Sequence, residues 1–227
     1  MIDKVYRNWA ELPSELTSSI LHRLGAVEIL ENAQKVCIWW RRVCKDPSMW
    51  RKIVMKRLRG CDLEIMCRHA VDRSQGGLLE IDIGYSCTDS LLTYIADSSS
   101  NLRSLRLALC GSMTDKGLME ALVKLPLLED LEVLYGGSLA GESLKFAGQS
   151  CPNLRSLRLS LCYKLTDKGF VEAVGNLPLL EELELSCCFF LSEESLKVVG
   201  KSCPNLKTLN LNRYGNCHYA TVCDDDA

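Results

Sequence analysis

The second half of the chain is built from a repeat, and this constrains the fold more than any other feature. The stretches NLRSLRLALCGSMTDKGLMEALVKLP, from Asn101, and NLRSLRLSLCYKLTDKGFVEAVGNLP, from Asn153, start 52 positions apart. A second pair, LLEDLEVLYGGSLAGESLKFAGQSCP from Leu127 and LLEELELSCCFFLSEESLKVVGKSCP from Leu179, fills the positions between and after them. The units are 26 residues long and alternate between two types. Because a unit this short cannot bury its apolar residues alone, we predict that the copies stack into an array.

Each unit predicts one short strand followed by one helix. In LRSLRLSL, residues 154–161, leucines recur with the spacing L-x-x-L-x-L-x-L, which is typical of a strand with alternating faces. Thr166 and Asp167 then precede an apolar-periodic run over residues 170–177, as expected for a capped helix. Stacked copies would place parallel strands on a concave side and helices on a convex side. The predicted fold class is therefore α/β, a solenoid with a curved parallel sheet.

The units resemble leucine-rich repeats of the cysteine-containing subtype. The resemblance is carried by CPNL at residues 151–154 and 203–206, by SLRLSLC ending at Cys162, and by TDKG at Thr114 and Thr166. It covers roughly residues 77–212, with a shorter first unit at Gly77. The unit that starts at Asn205 runs into RYGNCHYATVCDDDA, which has no apolar helix pattern. We therefore predict that the last repeat is incomplete.

The N-terminal segment does not share the repeat. Apolar residues recur every fourth position from Leu12 to Leu24, on one face of a predicted helix with Pro13 in its first turn. A second run, residues 29–40, also has helical spacing, and Asp46-Pro47 breaks the chain before Met49-Trp50. Three short helices form a small core that is only marginally stable on its own, so we expect this unit to pack against another surface.

This segment resembles the F-box family, and the whole chain is similar to the F-box/leucine-rich-repeat proteins of plants. The pattern comprises Leu12-Pro13-x-Glu15-Leu16, Ile20-Leu21, Leu24, Leu30, Ala33, Val36-Cys37, Trp40-Arg41, Val43 and Pro47-x-Met49-Trp50. Ile38 departs from it, since the family usually has Lys or Arg there. The resemblance implies docking on a Skp-type adaptor and, through it, on a cullin of a ubiquitin ligase.

Carried onto this sequence, the resemblance implies seven adaptor-binding residues. The last three match positions that are partly core and partly interface. The seven are Leu12, Pro13, Ile20, Leu24, Val36, Trp40 and Trp50. An alternative interpretation is that the three helices only cap the solenoid, because repeat arrays need covered ends.

The predicted domains are an F-box at residues 8–55, a helical linker at 56–76 and the solenoid at 77–227. The basic run RKIVMKRLRG, residues 51–60, could be a nuclear-localisation or nucleic-acid patch, but we interpret it as the solvated face of a helix. Residues 63–73 predict a further helix. Without a long flexible linker, we expect the two units to form one rigid body.

The concave face is the predicted substrate-binding surface. Outward positions of successive strands form two rows, with alternating charge in one row and an acidic excess in the other. The rows are Asp82, Arg106, Glu132, Arg158, Glu184 and Asn210, and Glu80, Ser104, Asp130, Ser156, Glu182 and Thr208. We take Arg106, Asp130, Glu132, Arg158, Glu182 and Glu184 as candidate substrate-binding residues and expect a basic or hydrogen-bonding partner. The alternative is a ladder of self-paired charges that binds no partner.

The sequence offers no chemistry for catalysis. Its three histidines lie in separate parts of the chain, and none stands in a frame such as GxSxG or HExxH. The fragment Gly200-Lys201-Ser202 lacks the first glycine of a phosphate-binding loop, and Cys217, His218 and Cys223 lack a fourth zinc ligand. We therefore predict a non-catalytic protein without a metal or cofactor.

The composition limits which cellular compartments and which classes of partner we expect for this chain. The 13 cysteines are odd in number and form no CxxC pair, which indicates buried thiols in a reducing compartment. No apolar stretch is long enough for a membrane span or signal peptide. A net charge of −2 gives no reason to expect nucleic acid. We expect the cytoplasm, the nucleus or both.

The sequence as a whole favours a substrate-recognition subunit of a Skp–cullin–F-box ubiquitin ligase. A ligase-independent or dominant-negative interaction scaffold is the main alternative, and a small-molecule receptor is a third.

Overall fold

The computed structural model describes residues 12–55, 62–84, 87–109, 111–188 and 192–212. In these ranges the strands form one parallel sheet in sequence order, with β1 at Lys52–Met55, β2 at Glu80–Ile83, β3 at Ser104–Ala108, β4 at Asp130–Leu134, β5 at Ser156–Ser160, β6 at Glu182–Ser186 and β7 at Thr208–Asn212. The helices before the repeats are α1 at Ser14–Leu21, α2 at Ala26–Glu28, α3 at Gln34–Val36, α4 at Ile38–Cys44 and α5 at Leu63–Ser74. The repeat helices are α6 at Asp89–Ser98, α7 at Asp115–Leu122, α8 at Glu142–Ser150, α9 at Asp167–Val174 and α10 at Glu193–Ser202.

The repeat folds as its spacing predicts, so the α/β solenoid is confirmed. Equivalent residues of successive units pair across the sheet, and the inward leucines Leu105, Leu131, Leu157 and Leu183 form one buried row. The predicted caps are present as well, since Thr166 Oγ1 accepts a hydrogen bond from Gly169 N at 3.2 Å. One side of each strand therefore faces the helices. The other side is the predicted concave face, called the open face below.

The N-terminal unit departs from the predicted helices at two points. The second run is not one helix: a π-helical turn spans Ile29–Ala33, and the chain is extended at Cys37 (φ −157°, ψ 173°). There the Cys37 thiol accepts a hydrogen bond from Trp40 N at 3.4 Å and begins α4. Pro13 precedes α1 rather than lying in its first turn, and a 3-10 turn spans Pro47–Trp50.

The interpretation of residues 51–60 as a helix face is wrong for its described part. Lys52–Met55 is β1, which pairs in parallel with β2 and places Ile53 and Met55 in the buried core. Residues 56–61 lie outside the described ranges. The sheet thus begins directly after Trp50, and the predicted helix at 63–73 follows as α5.

Arginine 73 on α5 ties the N-terminal unit to the following helix. Its guanidinium donates to Cys44 O at 3.0 Å and to Gln34 Oε1 at 2.8 Å. It also lies 5.5 Å from the centre of the Trp50 ring. Together with the β1–β2 pairing, these contacts join the N-terminal unit and the repeats into one core.

The cysteines that the structure describes are free thiols, and all but Cys37 are buried. Burial raises the pKa of the Cys67 and Cys151 thiols to about 12. The Cys151 thiol stays protonated and donates to two backbone carbonyls, Leu122 O at 3.6 Å and Leu125 O at 3.5 Å. The prediction of buried thiols is confirmed for eight of these nine cysteines, and Cys37 is a half-buried free thiol. The other four, Cys61, Cys110, Cys217 and Cys223, lie outside the described residues, as does His218.

The sheet ends on an exposed strand. Leu209 and Leu211 of β7 are 44% and 43% exposed, although they align with the buried Leu183 and Leu185 of β6. The predicted incomplete last repeat concerns residues 213–227, which the structure does not describe. Within the described ranges, no helix is long and apolar enough to cross a membrane.

Candidate protein-binding surfaces

Helix α1 presents apolar side chains to solvent. Its buried side carries Thr17 and Leu21, whereas Leu16 and Ile20 on the predicted apolar face are exposed. Pro13 before the helix is exposed too, and Leu12 is half-buried. The four-residue spacing therefore marks a surface of the unit rather than its core.

The other predicted adaptor-binding residues divide between surface and core. Val36 is 62% exposed, while Leu24 and Trp40 are half-buried and pack against the core. Trp40 Nε1 is enclosed, and no acceptor for it lies among the described residues. Trp50 is 1% exposed and donates from Nε1 to Cys44 O at 2.8 Å. Because Trp50 is a core residue here, we leave it out of the proposed adaptor surface.

Sequence reasoning missed two exposed apolar side chains next to Trp40. Ile38 and Trp39 at the start of α4 both project into solvent. The signal was present, because Trp40, Val43 and Cys44 have the i, i+3, i+4 spacing of an inward stripe. Trp39 falls outside that stripe. We add Ile38 and Trp39, with Leu16, to the candidate surface.

The two predicted rows of outward residues do lie in register on the open face. Arg106 bridges neighbouring strands, with its guanidinium 2.8 Å from Glu132 and 3.5 Å from Asp82. Arg158 lies 2.9 Å from Glu182, 3.3 Å from Glu132 and 3.4 Å from Asp130. The structure therefore brings the predicted residues together.

The open face carries more carboxylates than cations. Six acids, Glu80, Asp82, Asp130, Glu132, Glu182 and Glu184, face three cations, Lys52, Arg106 and Arg158. The hydrogen bond from Arg158 lowers the pKa of Glu182, and the one to Glu132 raises the pKa of Arg106. Glu184 accepts from Ser186 Oγ at 3.4 Å and forms no ion pair within the described ranges. A groove of about 240 Å³ is lined by the charged residues from β1 to β5, which are Lys52, Glu80, Asp82, Arg106, Asp130, Glu132 and Arg158.

A second charge ladder lies at the amino-terminal ends of the strands. Arg103 pairs with Glu129 at 2.5 Å, and Glu181 pairs with both Arg155 at 2.5 Å and Lys207 at 2.6 Å. The 26-residue spacing of these residues could have revealed it. This edge carries three cations, Arg103, Arg155 and Lys207, against two acids, Glu129 and Glu181, so it does not share the acidic excess of the open face.

The two surfaces present exposed apolar side chains on the N-terminal unit and charged side chains on the sheet. Within the ranges that the structure describes, no three His, Cys, Asp or Glu side chains are grouped so that they could hold a metal ion. Exposed apolar side chains and a charged sheet face are features of protein interfaces. The fold thus has two parts, a small helical unit and a leucine-rich-repeat sheet.

Comparisons with known proteins agree with this class. The F-box-like family model matches residues 9–56, a leucine-rich-repeat model matches residues 98–120, and the model of the leucine-rich repeats of FBD-associated F-box protein At5g56370 matches residues 142–225. Three relatives come from Arabidopsis thaliana. Putative F-box/LRR-repeat protein 9 is 50% identical over 93% of this chain and 68% of its own length. Putative F-box/LRR-repeat protein 23 is 51% identical over 100% of this chain and 40% of its own length. F-box protein SKIP19 is 67% identical over 61% of this chain and 47% of its own length.

The chain therefore belongs to the F-box/leucine-rich-repeat family. It spans between about two fifths and two thirds of the length of these curated relatives.

Proposed function

We propose that this chain is the substrate-recognition subunit of a Skp–cullin–F-box ubiquitin ligase. The F-box-like unit would dock a Skp-type adaptor and, through it, a cullin, while the open face of the sheet binds a protein substrate. The chain itself would carry out no chemistry. In this proposal residues 8–55, 56–76 and 77–227 act as docking, linking and recognition units, and the complex works in the cytoplasm, the nucleus or both.

One observation carries the proposal: an exposed apolar surface lies on the unit that β1 joins to the sheet. Leu16, Val36 and Trp39 are more than half exposed, and Ile20 is 36% exposed. Strand β1 follows the same unit without a flexible linker. A partner bound to the F-box-like unit would therefore stand at a fixed distance from a substrate on the sheet, which raises the local concentration of substrate groups.

Calorimetry of the purified chain with a Skp-type adaptor tests the proposal. Val36→Glu places a charge in the candidate surface and should weaken binding by about tenfold or more, because the charge would be desolvated. Val123→Glu, directly after α7, is the matched control, since Val123 is 53% exposed and lies in the repeats. It should leave the affinity unchanged.

The double variant Leu12→Ala, Pro13→Ala tests the residues implied by the family pattern in the same assay. Absence of binding by a folded wild-type chain would overturn the ligase proposal. The interaction scaffold would then be the function to pursue.

A further inference from the structure

The outward residues of the sheet are organised in alternating strands. Strands β2, β4 and β6 each carry two carboxylates, and the strands between them, β3 and β5, each carry one arginine and one serine. Both arginines are held between carboxylates, Arg106 by two of them and Arg158 by three. The charges of both arginines are therefore balanced within the sheet. Because six carboxylates outnumber the three cations of this face, the net charge that remains favours a cationic partner.

The acidic strands have a definite spacing. Neighbouring strands lie about 4.8 Å apart, so alternate strands are separated by about 9.6 Å. Seven residues of an α-helix, close to two turns, rise about 10.5 Å. Cationic side chains at every seventh position of a helix would therefore meet successive acidic strands. In an extended strand the matching interval is three residues, which turns successive cations to opposite faces.

An apolar rim borders this acidic band at the carboxyl ends of β3 and β4. Leu109 and Tyr135 follow these strands and are each 41% exposed. Both have positive φ, 53° and 66°, a conformation that bulky side chains rarely adopt. Each is held there by its backbone, because Leu109 N donates to Leu134 O at 3.0 Å and Tyr135 N donates to Ser160 O at 2.9 Å.

The rim differs from the equivalent positions of the next two repeats in its exposure. Leu161 and Cys187 occupy the same place in the next two repeats with positive φ, but both are buried in the core. At Leu109 and Tyr135 the side chains are half in solvent, where Asn or Gly would suit the backbone better. The positive φ is therefore common to these four repeats, and what distinguishes Leu109 and Tyr135 is an exposed apolar side chain beside a charged face, as at protein-binding surfaces.

The rim stands three residues beyond the charged row, at Leu109 after Arg106 and at Tyr135 after Glu132. This is about 10 Å along a strand, and an α-helix with side chains is about 10–12 Å wide. Between the two lies the row Ala108, Leu134, Ser160 and Ser186, of which all but Leu134 are small. A helix lying across the strands would therefore reach the acids with one side and the rim with another.

We propose that the substrate element held by the open face is an α-helix of a partner protein that is basic along one side and apolar along the adjacent side. It would lie across the strands, with cations about 10 Å apart over the acidic strands and apolar residues on Leu109 and Tyr135. This inference rests on the proposed substrate-binding role of the sheet and specifies the chemistry of the substrate.

Two labelled peptides of about 18 residues test the spacing by fluorescence anisotropy. Both are alanine-based helices with the same lysines and leucines. One has lysine at every seventh position and leucine next to each lysine, and the other has lysine at every fifth position, which spreads the charges around the helix. The first should bind roughly tenfold more tightly, and its affinity should fall as salt is added.

Variants of the chain test the two contact surfaces. Glu182→Gln with Glu184→Gln removes both carboxylates of β6. This variant should bind the peptide with lysine at every seventh position roughly tenfold more weakly. Glu193→Gln with Glu194→Gln makes the same change on α10, where both side chains are exposed on the helical side, and should have no effect. Leu109→Asn with Tyr135→Asn removes the rim while suiting the left-handed backbone. This variant should also weaken binding, without loss of thermal stability.

Equal binding of the two peptides would overturn the inference, as would unchanged affinity in the β6 and rim variants. No peptide binding by a chain that still binds the adaptor would also overturn it and leave the proposed ligase role standing. Peptide binding with no adaptor binding would support the inference and count against the ligase role alone.

Discussion

At the scale of single residues, two glycines allow neighbouring repeat helices to approach. Gly141 has φ +109°, and a Cβ built there would lie 2.8 Å from the Cα of Gly169. A Cβ built on Gly169 would likewise lie 2.9 Å from the Cα of Gly141. The start of α8 and the first turn of α9 therefore meet backbone to backbone, without room for a side chain.

Substitution of Gly141 tests this contact. Gly141→Ala should lower the free energy of unfolding by about 2–4 kcal/mol, because it combines a strained φ with a clash against backbone. Gly137→Ala is the matched control in the preceding loop, since an added Cβ there meets nothing within 4 Å. The measurement is the urea midpoint of each variant. Equal midpoints for the two variants would show that α8 can move away from α9.

At the scale of elements, three repeat helices, α6, α7 and α9, are each linked to the next by an acid in the first turn, which is Asp89, Asp115 or Asp167. Asp167 of α9 accepts hydrogen bonds from Ser192 N at 2.9 Å and from the hydroxyls of Ser192 and Ser195 at the start of α10. Asp89 of α6 does the same for Thr114, from N at 2.8 Å and from Oγ1 at 2.7 Å. One side chain thus supports two helices.

This link predicts a dependence of stability on pH. The hydrogen bonds from Ser192 and Ser195 lower the pKa of Asp167 in the folded chain. Because the pKa of Asp167 is lower in the folded chain than in the unfolded chain, where it is about 3.9, ionised Asp167 stabilises the fold at pH values above about 3.9. This stabilisation is lost as pH falls through the pKa of the folded chain. Asp167→Asn should therefore reduce the free energy of unfolding at pH 7, and the difference from wild type should shrink below about pH 4.

Denaturant unfolding at a series of pH values measures that difference. Asp97→Asn removes an exposed ion pair with Lys124 and serves as the control, with little effect expected at any pH. A difference between wild type and Asp167→Asn that stays constant from pH 7 to below about pH 4 would contradict the assignment.

At the scale of the whole molecule, the two units should unfold together. All four tryptophans, Trp9, Trp39, Trp40 and Trp50, lie in the first 50 residues, so tryptophan fluorescence reports on the N-terminal unit. Far-UV circular dichroism is dominated by the repeats. Because β1 pairs with β2 and both units share one core, the two signals should have the same denaturant midpoint.

Arg73→Ala tests the same coupling, since Arg73 joins α5 to the N-terminal unit. It should lower both midpoints together. Arg155→Ala, which breaks an exposed pair with Glu181, should shift them little. A tryptophan midpoint that moves without the dichroism midpoint would show that the units unfold separately, as weakly coupled parts of repeat arrays can.

The sequence by itself determined the repeat, the alternation of each strand and the charged rows of the open face. These follow from local periodicity, because strand side chains alternate and each unit repeats its neighbour's register. The 26-residue spacing was enough to predict that Glu132 lies beside Arg158 on the neighbouring strand. The exposed apolar residues Ile20 and Val36 were likewise predicted from a motif, although their role as an adaptor surface remains a proposal.

The tertiary structure alone decided the features that depend on distant partners. Residues 52–55 became a strand because β2 offered an edge to pair with, which no local pattern in a basic run reveals. Trp50 became a core residue because α5 brings Arg73 against its ring, which its own neighbours in sequence do not reveal. Arg158 engages three carboxylates from two strands, and Leu109 stays exposed where Leu161 is buried. Periodicity assigns a residue to a face of its own element, whereas burial and pairing depend on what the rest of the chain brings against that face.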